Sequence, residues 1–549
     1  MKASVLALFA ISTVAAAQSS MSMPMNVASP SAERLGTVSF AVSCGQQAQA
    51  PFDRGVALLH DFWYSEARPQ FERIANSDPG CAMAHWGIAM SVFRQIWDRP
   101  DKKTMKLGWA EIRKAQSAHA PTDRERDYIA ALAVFYKPGK QDFMTRVTAY
   151  SSAMSALYKR NPGDVDGGAF YALSLLASEA PSDSSLSHER QAMSVLAPLF
   201  VSYPDNPGVV HYIIHACDNP SMAKDGLAAA EHYGEIAPSG AHASHMPGHI
   251  FARLGLWQQD IDSQLASIQA SEAAETHHED GLMDEPHSND FLMYAYLQSG
   301  QDAKAKAVLD QSPLLMKQIG SMPDMHWMSG LYLTKFPVFY ALEMRDWQTA
   351  AALEPVAGAA PEVAMMTWWA RAIADGHLHH ADAAAHDLEQ FDALIAEVKK
   401  GPNAFDADST GMQVARSEIA GWDDFAADRH DDALKHMREA ADLQDKVGQG
   451  EVDIPAREML GDMLLELHQS PQALAEYRVA LKLSPNRFNG LYNAGVAAEQ
   501  AGDKIAAAGY FAALLKSAGD GAQSSRPELA HARSFLSLDR LAVGKVREP

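Results

Sequence analysis

Apolar and small residues recur along the C-terminal part of the chain with the spacing of paired amphipathic helices. In residues 457–486, Leu460 and Gly461 fall on a first helical segment, Tyr477 falls on a second, and Pro485 ends the pattern. Because a proline removes a backbone donor and ends a helix, the unit is predicted to be two helices joined by a turn. The following segment repeats the same order one period later, at Gly495, Gly502, Asp503, Ala507 and Phe511.

The same pattern returns near the other end of the chain, where Gly55, Ala67, Phe71 and Pro79 keep the spacing. Weaker copies, each with a turn residue before a small residue, lie between the two ends. One helix pair cannot bury its apolar face alone, whereas stacked pairs share a continuous core. The periodicity therefore predicts an all-α fold, a superhelical solenoid of antiparallel helix pairs whose first helices line a concave surface.

These motifs resemble the tetratricopeptide repeat, and segments such as "HASHMPGHIFARLG" resemble a group of exported bacterial proteins that carry it. The resemblance divides the chain into divergent repeats over residues 46–400, a Pro- and Gly-containing linker at 401–410, ordinary repeats over 411–530 and a tail at 531–549. Repeats of this class generally bind proteins or peptides on the concave face, so such a partner is what the resemblance implies. It implies no activity that transfers to this chain.

The first 17 residues are expected to form a signal peptide. Lys2 precedes an apolar run over residues 5–14, and Ala17 has the small side chain of a cleavage site. The apolar run is too short to anchor the chain in a bilayer. Residues 18–45 are predicted to be a flexible lead-in. We therefore expect a periplasmic or secreted protein without a membrane span.

The composition predicts a large hydrophobic core and an acidic surface. The chain has 549 residues, of which 47% are hydrophobic, and Lys plus Arg total 46 against 68 for Asp plus Glu. The formal net charge is -22, and a surface this acidic repels phosphate backbones, so we expect no nucleic-acid partner. Three cysteines make no disulfide framework, but Cys44 and Cys81 can pair in an oxidising compartment while Cys217 stays unpaired.

Two pairs of histidines lie four residues apart, at His211 and His215 and, 34 residues later, at His245 and His249. The interval equals the repeat period, and steps of three or four residues return to one face of a helix. If Gly255 ends the first helix of its repeat, both pairs occupy positions five and nine of successive first helices. The resemblance implies that these positions face the concave groove. Adjacent helices pack about 8–10 Å apart, so the four imidazoles are predicted to share one ion.

The same inner columns carry further candidate ligands. His242 occupies position two of the later of these repeats, although Pro247 leaves its orientation open. One repeat further on, His287, Asp290 and Tyr294 occupy positions two, five and nine. We therefore add His242, His287 and Asp290 to the predicted metal ligands and place the phenol of Tyr294 in the groove.

Other polar residues are predicted to lie beside these ligands. Asp218 suits a contact that fixes the tautomer of an imidazole, and Arg253 suits an anionic ligand in the groove. An insertion over residues 271–285 carries His277 and His278. It either folds over the groove as a lid or supplies ligands.

Neutral imidazole ligands suit Zn, Cu or Fe, so a transition metal is the expected cofactor. The alternative is that the histidines bond to one another, line a groove for a peptide or an anion, or satisfy backbone groups near Pro247. The metalloprotease pattern needs a glutamate directly after the first histidine, where this chain has Tyr212 and Met246. Nothing in the sequence selects a reaction, although Glu279 or Asp290 could act as a base.

The sequence favours an exported scaffold over an enzyme. In this hypothesis the solenoid binds a protein or peptide and carries a transition-metal site in its central repeats. Asn489, Tyr492 and Asn493, on or near the inner helix of a C-terminal repeat, favour partner binding. The alternative is a metalloenzyme that uses the same histidines for an undetermined reaction.

Overall fold

The computed structural model describes residues 33–96, 99–180, 183–276, 284–322, 325–401, 409–519 and 524–545. These residues form helices joined by turns, and they contain no β-strand. Consecutive helices pack in antiparallel pairs along the chain, so the prediction of an all-α solenoid is confirmed. Within the described ranges, no helix is both long and apolar enough to cross a membrane.

A 3-10 helix at Gln46–Ala48 precedes the α-helices of the first half. These are α1 (Gln49–His60), α2 (Tyr64–Ser77), α3 (Ala82–Met90), α4 (Lys102–Ser117), α5 (Asp123–Tyr136), α6 (Phe143–Arg160), α7 (Val165–Ala177), α8 (Ser187–Ser202), α9 (Pro207–Cys217), α10 (Ala223–Ile236), α11 (Ala241–His245), α12 (Pro247–Leu254) and α13 (Trp257–Thr276). The second half comprises α14 (Glu285–Gln298), α15 (Asp302–Gly320), α16 (His326–Glu343), α17 (Trp347–Ala351), α18 (Pro361–His377), α19 (Ala381–Val398), α20 (Thr410–Ala426), α21 (His430–Val447), α22 (Ala456–Glu466), α23 (Ser470–Leu483), α24 (Phe488–Gln500), α25 (Lys504–Ser517) and α26 (Pro527–Lys545).

Glycines of the repeat pattern mark where the two helices of a pair touch. A Cβ atom built on Gly461 of α22 would lie 2.7 Å from the Tyr477 ring of α23. One built on Gly495 of α24 would lie 2.5 Å from the Phe511 ring of α25. Side-chain atoms do not approach that closely, so the absence of a side chain is what lets each pair close.

The segment before α1 is held against the helices, although residues 18–45 are predicted to be flexible. Phe40 is fully buried, and its backbone N–H donates to the carboxylate of Asp53 at 2.8 Å. The Gly36 N–H donates to a carbonyl oxygen of α10 at 2.9 Å. The structure therefore differs from the prediction over residues 35–44, because a buried aromatic ring and backbone hydrogen bonds fix this part.

The signal peptide, the linker and the tail are the other predicted segments. The signal peptide at 1–17 lies outside the described residues, as does most of the linker, and α20 begins at Thr410. Helix α26 continues through the described part of the predicted tail to Lys545. Cys44 and Cys81 form a disulfide bond, while Cys217 is a buried free thiol, as the sequence analysis expects.

The C-terminal repeats contact the central repeats through the turn that follows α12. Gly255 forms this turn with a φ of 64°, and a Cβ atom there would lie 2.3 Å from the carbonyl oxygen of Pro485. The indole of Trp257 donates to the carbonyl oxygen of Asn486 at 2.8 Å. The side-chain amide of Asn486 donates to the Gly255 carbonyl at 3.2 Å, so turns 231 residues apart in sequence meet.

Arg487, beside this contact, is a fully buried cation shared by several elements. Its guanidinium lies 2.8 Å from the carboxylate of Glu343 and 2.9 Å from that of Glu458. It also donates to the carbonyl oxygen of Asp453 at 2.8 Å and to the hydroxyl of Tyr294. Breaking a buried ion pair by removing one partner costs about 3–5 kcal/mol. Arg487 therefore joins α14, α16, α22 and the segment that precedes α22.

Replacing Gly255 with Ala should destabilise the protein more than replacing Gly502. Both glycines follow the first helix of a repeat with positive φ, 64° and 80°, so both substitutions strain the backbone by about 1 kcal/mol. The added Cβ meets another backbone only at Gly255, since nothing lies within 4 Å at Gly502. We expect an additional loss of about 1–3 kcal/mol for Gly255→Ala in urea unfolding. Equal losses would contradict the contact.

Candidate metal centre

Three histidines from two helices form what we call the first histidine group: His211, His215 and His242. His211 and His215 lie one turn apart on α9, because a four-residue step returns to the same helix face, and His242 lies on α11. One candidate ligand atom from each residue lies within 4.8 Å of the other two. His211 and His242 are buried, and His215 is half-buried.

Phe62 forms an apolar wall of the first histidine group. Its ring centroid lies 4.4 Å from that of His211, 5.5 Å from that of His215 and 5.4 Å from that of His242. Phe62 has a φ of 57°, in the left-handed region that residues other than glycine rarely adopt. Such a conformation costs about 1–3 kcal/mol and persists only where the surroundings enforce it. The fold therefore holds this ring against the imidazoles.

His60 orients His211 through its backbone. The Nδ1–H of His211 donates to the His60 carbonyl oxygen at 2.5 Å, which leaves Nε2 as the ligand atom. The His60 ring lies 2.9 Å from the hydroxyl of Tyr212 and 3.1 Å from the carboxylate of Asp166. The Nε2 atoms of His211 and His215 are buried and have no hydrogen-bond partner among the described residues. Because buried polar atoms normally have hydrogen-bond partners, these two nitrogens require an explanation.

Burial keeps the first histidine group uncharged. It lowers the pKa of His211 to about 3 and holds the pKa values of His215 and His242 well below the ordinary value. Neutral imidazole is the form that binds a metal. The described residues add no carboxylate oxygen to this group.

Three more histidines form the second histidine group: His245, His249 and His287. His245 ends α11, His249 lies on α12 beyond the break at Pro247, and His287 lies in the first turn of α14. One candidate ligand atom from each again lies within 4.8 Å of the others. The Nε2 atoms of His245 and His249 are 2.9 Å apart, which is a hydrogen-bond distance. A proton therefore lies between these two nitrogens.

Oxygen acceptors fix the tautomers of the second group. The Nδ1–H of His245 donates to the side-chain oxygen of Gln264 at 2.6 Å. The Nδ1–H of His249 donates to the Asp218 carboxylate at 2.9 Å and lies 3.3 Å from that of Glu451. Both rings therefore present Nε2 to the centre of the group. The predicted contact between Asp218 and an imidazole is present.

Glu451 belongs to residues 448–455, between α21 and α22, which we call the closing segment. Arg253 lies 3.1 Å from the Glu451 carboxylate and 3.0 Å from that of Asp218. Burial alone would raise the pKa of Glu451, but the charge of Arg253 and the hydrogen bond from His249 hold it well below its ordinary value. An ionised carboxylate from the C-terminal repeats thus covers His249.

The second group carries charge where the first does not. Burial would lower the pKa of His249, but the charges and hydrogen bonds of Asp218 and Glu451 outweigh burial and raise it to about 10. Burial lowers the pKa of His287 to about 3 and holds that of His245 well below the ordinary value. His249 is therefore the cationic member of the group.

The four histidines predicted to share one ion, His211, His215, His245 and His249, do not meet at one centre in the structure. The first pair joins His242, and the second pair joins a different neighbour in the second histidine group. Each group combines positions five and nine of one repeat with position two of the next. The physical reason is an offset between neighbouring first helices, which sets the first turn of each helix beside the middle of the preceding one.

Asp290, a predicted ligand, belongs to neither group within the described part of the chain. Its carboxylate forms an ion pair with Lys335. Tyr294, predicted to line the groove, donates its hydroxyl proton to the carbonyl oxygen of Asp453 in the closing segment at 2.8 Å. At positions five and nine of this repeat, the imidazoles of the earlier repeats are therefore replaced by Asp290, in an ion pair, and by Tyr294, in a hydrogen bond to the closing segment.

Other predicted residues do not reach the centre in the described structure. His277, His278 and Glu279 lie outside the described residues, so a lid or ligand role for the insertion stays a prediction. Asn489 and Asn493 are buried, and both donate to acidic side chains of the helical body. Their amides are therefore committed to internal hydrogen bonds.

Four residues that shape the site are not predicted from the sequence: His60, Phe62, Gln264 and Glu451. Gln264 lies on α13, the second helix of its repeat, whereas the predicted metal ligands lie on first helices. Glu451 lies 202 residues after His249, and no local pattern connects them. The step from position nine to position two of the next repeat is the signal that would have predicted the two groups.

Each histidine group can supply three nitrogen ligands to one ion. Three imidazoles around Zn²⁺, with a fourth position open, are a ligand set of catalytic zinc sites, and imidazole also suits Cu and Fe. Two features fit a metal: the unsatisfied Nε2 acceptors of the first group and the proton held between Nε2 atoms in the second. In the first group an ion would bind nitrogens that have no hydrogen-bond partner. In the second group it would replace the proton between His245 and His249.

No family model matches this chain, and neither does any curated protein. Among solved structures, the human IFIT1 dimer with m7Gppp-AAAA is similar over 79% of this chain and 90% of that chain, with 11% sequence identity and a TM-score of 0.36. A similarity this weak carries no argument about function. The helix pairs themselves define a helical-repeat solenoid that carries two histidine groups.

Replacing Asp260 with Asn should weaken the pH dependence of stability. Asp260 is fully buried, accepts from Gln264 at 2.8 Å, and burial raises its pKa to about 8. The folded state therefore binds a proton that the unfolded state loses above about pH 4, so stability falls as pH rises from about 4 to about 8. We expect Asp260→Asn to remove about 2–4 kcal/mol of this fall in urea unfolding. An unchanged slope would contradict it.

Proposed function

We propose that the protein is an exported helical-repeat protein that binds transition-metal ions at its two histidine groups. One observation carries this proposal. Six imidazoles from successive first helices converge in two sets of three, of which His211, His242 and His245 are buried and the others are half-buried. Burying an imidazole is unfavourable unless its polar atoms have partners, and a shared ion in each set would supply them.

Contacts around the groups support one ion in each set. Metal-bound imidazoles donate their other ring N–H to a carbonyl, an amide or a carboxylate, which fixes the tautomer. His211 does so to the His60 carbonyl, His245 to Gln264 and His249 to Asp218. Zn, Cu and Fe all suit three imidazole nitrogens, and these metals are the proposed cofactors.

Binding at the second group exchanges a proton for an ion. The proton between His245 and His249 must leave before both Nε2 atoms can coordinate. Asp218 and Glu451 then balance the charge of the ion as they balance the imidazolium of His249. The first group has no such carboxylates in the described structure and binds with neutral ligands alone.

Export and the partner belong to the same proposal. The sequence of residues 1–17 has the features of a signal peptide, and the Cys44–Cys81 disulfide suits an oxidising compartment. We propose a protein or peptide as the partner, and the net charge of -22 disfavours nucleic acid. Glu451 of the closing segment contacts His249, so such a partner would bind elsewhere on the solenoid.

The alternative is a metalloenzyme, and the second histidine group suits catalysis better than the first group does. Three protein ligands leave a coordination position for water, whose pKa a metal ion lowers. Asp218 and Glu451 lie beside His249 and can accept a proton. The alternative names no substrate, and it requires the same metal content as the proposed binding protein.

Protein purified without a histidine tag and exposed to Zn, Cu or Fe should hold two metal ions per chain. His211→Ala with His215→Ala should leave one equivalent, and His245→Ala with His249→Ala should also leave one, because each double variant removes two ligands of one set. Elemental analysis after gel filtration measures the content. The matched control is His380→Ala with His386→Ala, which removes two exposed histidines.

Only selective losses support the proposal. A wild-type protein that binds no transition metal would overturn it. Equal content in the control and in both double variants would show that the ions bind elsewhere. Circular dichroism confirms that each variant keeps its helices.

Gln264→Leu should weaken metal binding at the second group without removing a ligand. The substitution deletes the oxygen that orients His245, and loss of such a contact typically lowers metal affinity about 10–100-fold. Gln258→Leu, at an exposed position of the same helix, is the control. Competition with a chromophoric chelator, in protein whose first group carries His211→Ala and His215→Ala, measures the affinity. Equal affinities for the two variants would argue against coordination by His245.

A further inference from the structure

A cavity opens beside the closing segment. Its volume is about 410 Å³, within the range of small-molecule sites. Gly448, Gly450 and Asp453 of the closing segment form one wall, and none of the lining residues belongs to either histidine group. Glu451, between those lining residues, contacts His249 instead.

Apolar and aromatic side chains form most of the cavity. Phe339 of α16, Trp369 of α18 and Phe391 of α19 contribute rings, and Met412 of α20 contributes a flexible thioether. The negative face of an aromatic ring attracts a cation, most strongly for Trp. A Cβ atom at Gly411 would meet nothing within 4 Å, so the space beside the lining at α20 is open.

Acidic groups interrupt the apolar lining, and basic groups do not. Glu418 is 3% exposed and accepts from the indole of Trp369 at 2.7 Å. Asp453 accepts from the amide of Gln444 at 3.1 Å, and Glu362 also lines the cavity. No lysine or arginine occurs among the lining residues that the structure describes.

No basic residue stands beside Glu418 or Asp453 in the described lining, although the charges of Arg487 and Lys335 act on Asp453 from outside it. Burial raises the pKa of Glu418 to about 8, with a further contribution from the charge of Asp453. Burial also raises the pKa of Asp453 to about 6. A cation placed among them would favour the ionised forms of both groups.

The acidic net charge of the chain does not explain this lining. Another cavity, of about 450 Å³, is also largely apolar, but its described lining contains no acid and four basic residues: Arg99, Lys102, Lys106 and Arg146. The charged residues in the described lining are therefore acidic in one cavity and basic in the other.

We propose that the cavity between α18, α19, α20 and the closing segment binds a small organic cation with an apolar body. Such a ligand is a protonated amine or a quaternary ammonium compound. Its charged nitrogen lies between Glu418 and Asp453, and its carbon skeleton lies against Trp369, Phe391 and Met412. This site is independent of metal binding at the histidine groups.

Isothermal titration calorimetry at about pH 8.5 tests the site with three compounds that share one skeleton: 4-phenylbutan-1-amine, 4-phenylbutan-1-ol and 4-phenylbutanoate. The amine should bind at least about tenfold more tightly than the alcohol, because its charged nitrogen forms charge-assisted hydrogen bonds that a neutral hydroxyl does not form. The carboxylate should not bind, because it would face the buried acids.

Two variants separate charge from shape. Glu418→Gln keeps the hydrogen-bond acceptor for Trp369 and should weaken the amine about tenfold while leaving the alcohol unchanged. Gly411→Trp fills the open space and should abolish binding of both. Gly509→Trp, on the exposed surface of α25 with nothing within 4 Å of its Cβ position, is the matched control. Thermal unfolding of each variant checks its fold.

Tight amine binding that Glu418→Gln and Gly411→Trp weaken, and Gly509→Trp does not, would establish the site. Equal affinity for all three compounds would reduce it to an apolar cavity without charge selection and overturn the proposal. Preferred binding of the carboxylate, or no binding of any compound, would overturn it as well.

Discussion

The contact between the turn at Gly255 and the backbone at Pro485 and Asn486 is the constraint on which the site depends. It brings C-terminal repeats against central ones, across 231 residues of sequence. Arg487 then fixes the closing segment by bonding to the Asp453 carbonyl and to buried glutamates. Only with this contact in place does a carboxylate from one part of the solenoid reach an imidazole of another.

The helical repeat explains why histidines gather at this place. Successive first helices lie side by side, so equivalent positions repeat at the packing distance of helices. Position two of each helix lies beside positions five and nine of the preceding one, which makes two similar sets of three imidazoles. Their surroundings then make them different. Phe62 encloses the first set in an apolar wall, whereas Asp218 and Glu451 stabilise a positive charge in the second.

The sequence predicted what local periodicity determines. Glycine and aromatic spacing correctly gave the helix pairs, as Gly461 against Tyr477 illustrates, and four-residue steps placed His211 with His215 and His245 with His249 on common faces. The sequence did not predict how the pairs are shared, because that depends on the axial offset of neighbouring helices and on the helix break at Pro247. It gave no sign of Glu451, whose approach is a consequence of closure over 202 residues.

The central claim is that each set of three imidazoles holds one ion. Crystals grown after exposure to Zn²⁺ and measured on both sides of the zinc absorption edge test it most directly. The account predicts two anomalous peaks per chain, one among His211, His215 and His242 and one in the second histidine group, each about 2.0–2.1 Å from three nitrogens. Peaks confined to exposed carboxylates and histidines, with both groups free of zinc and their rings as described here, would contradict it.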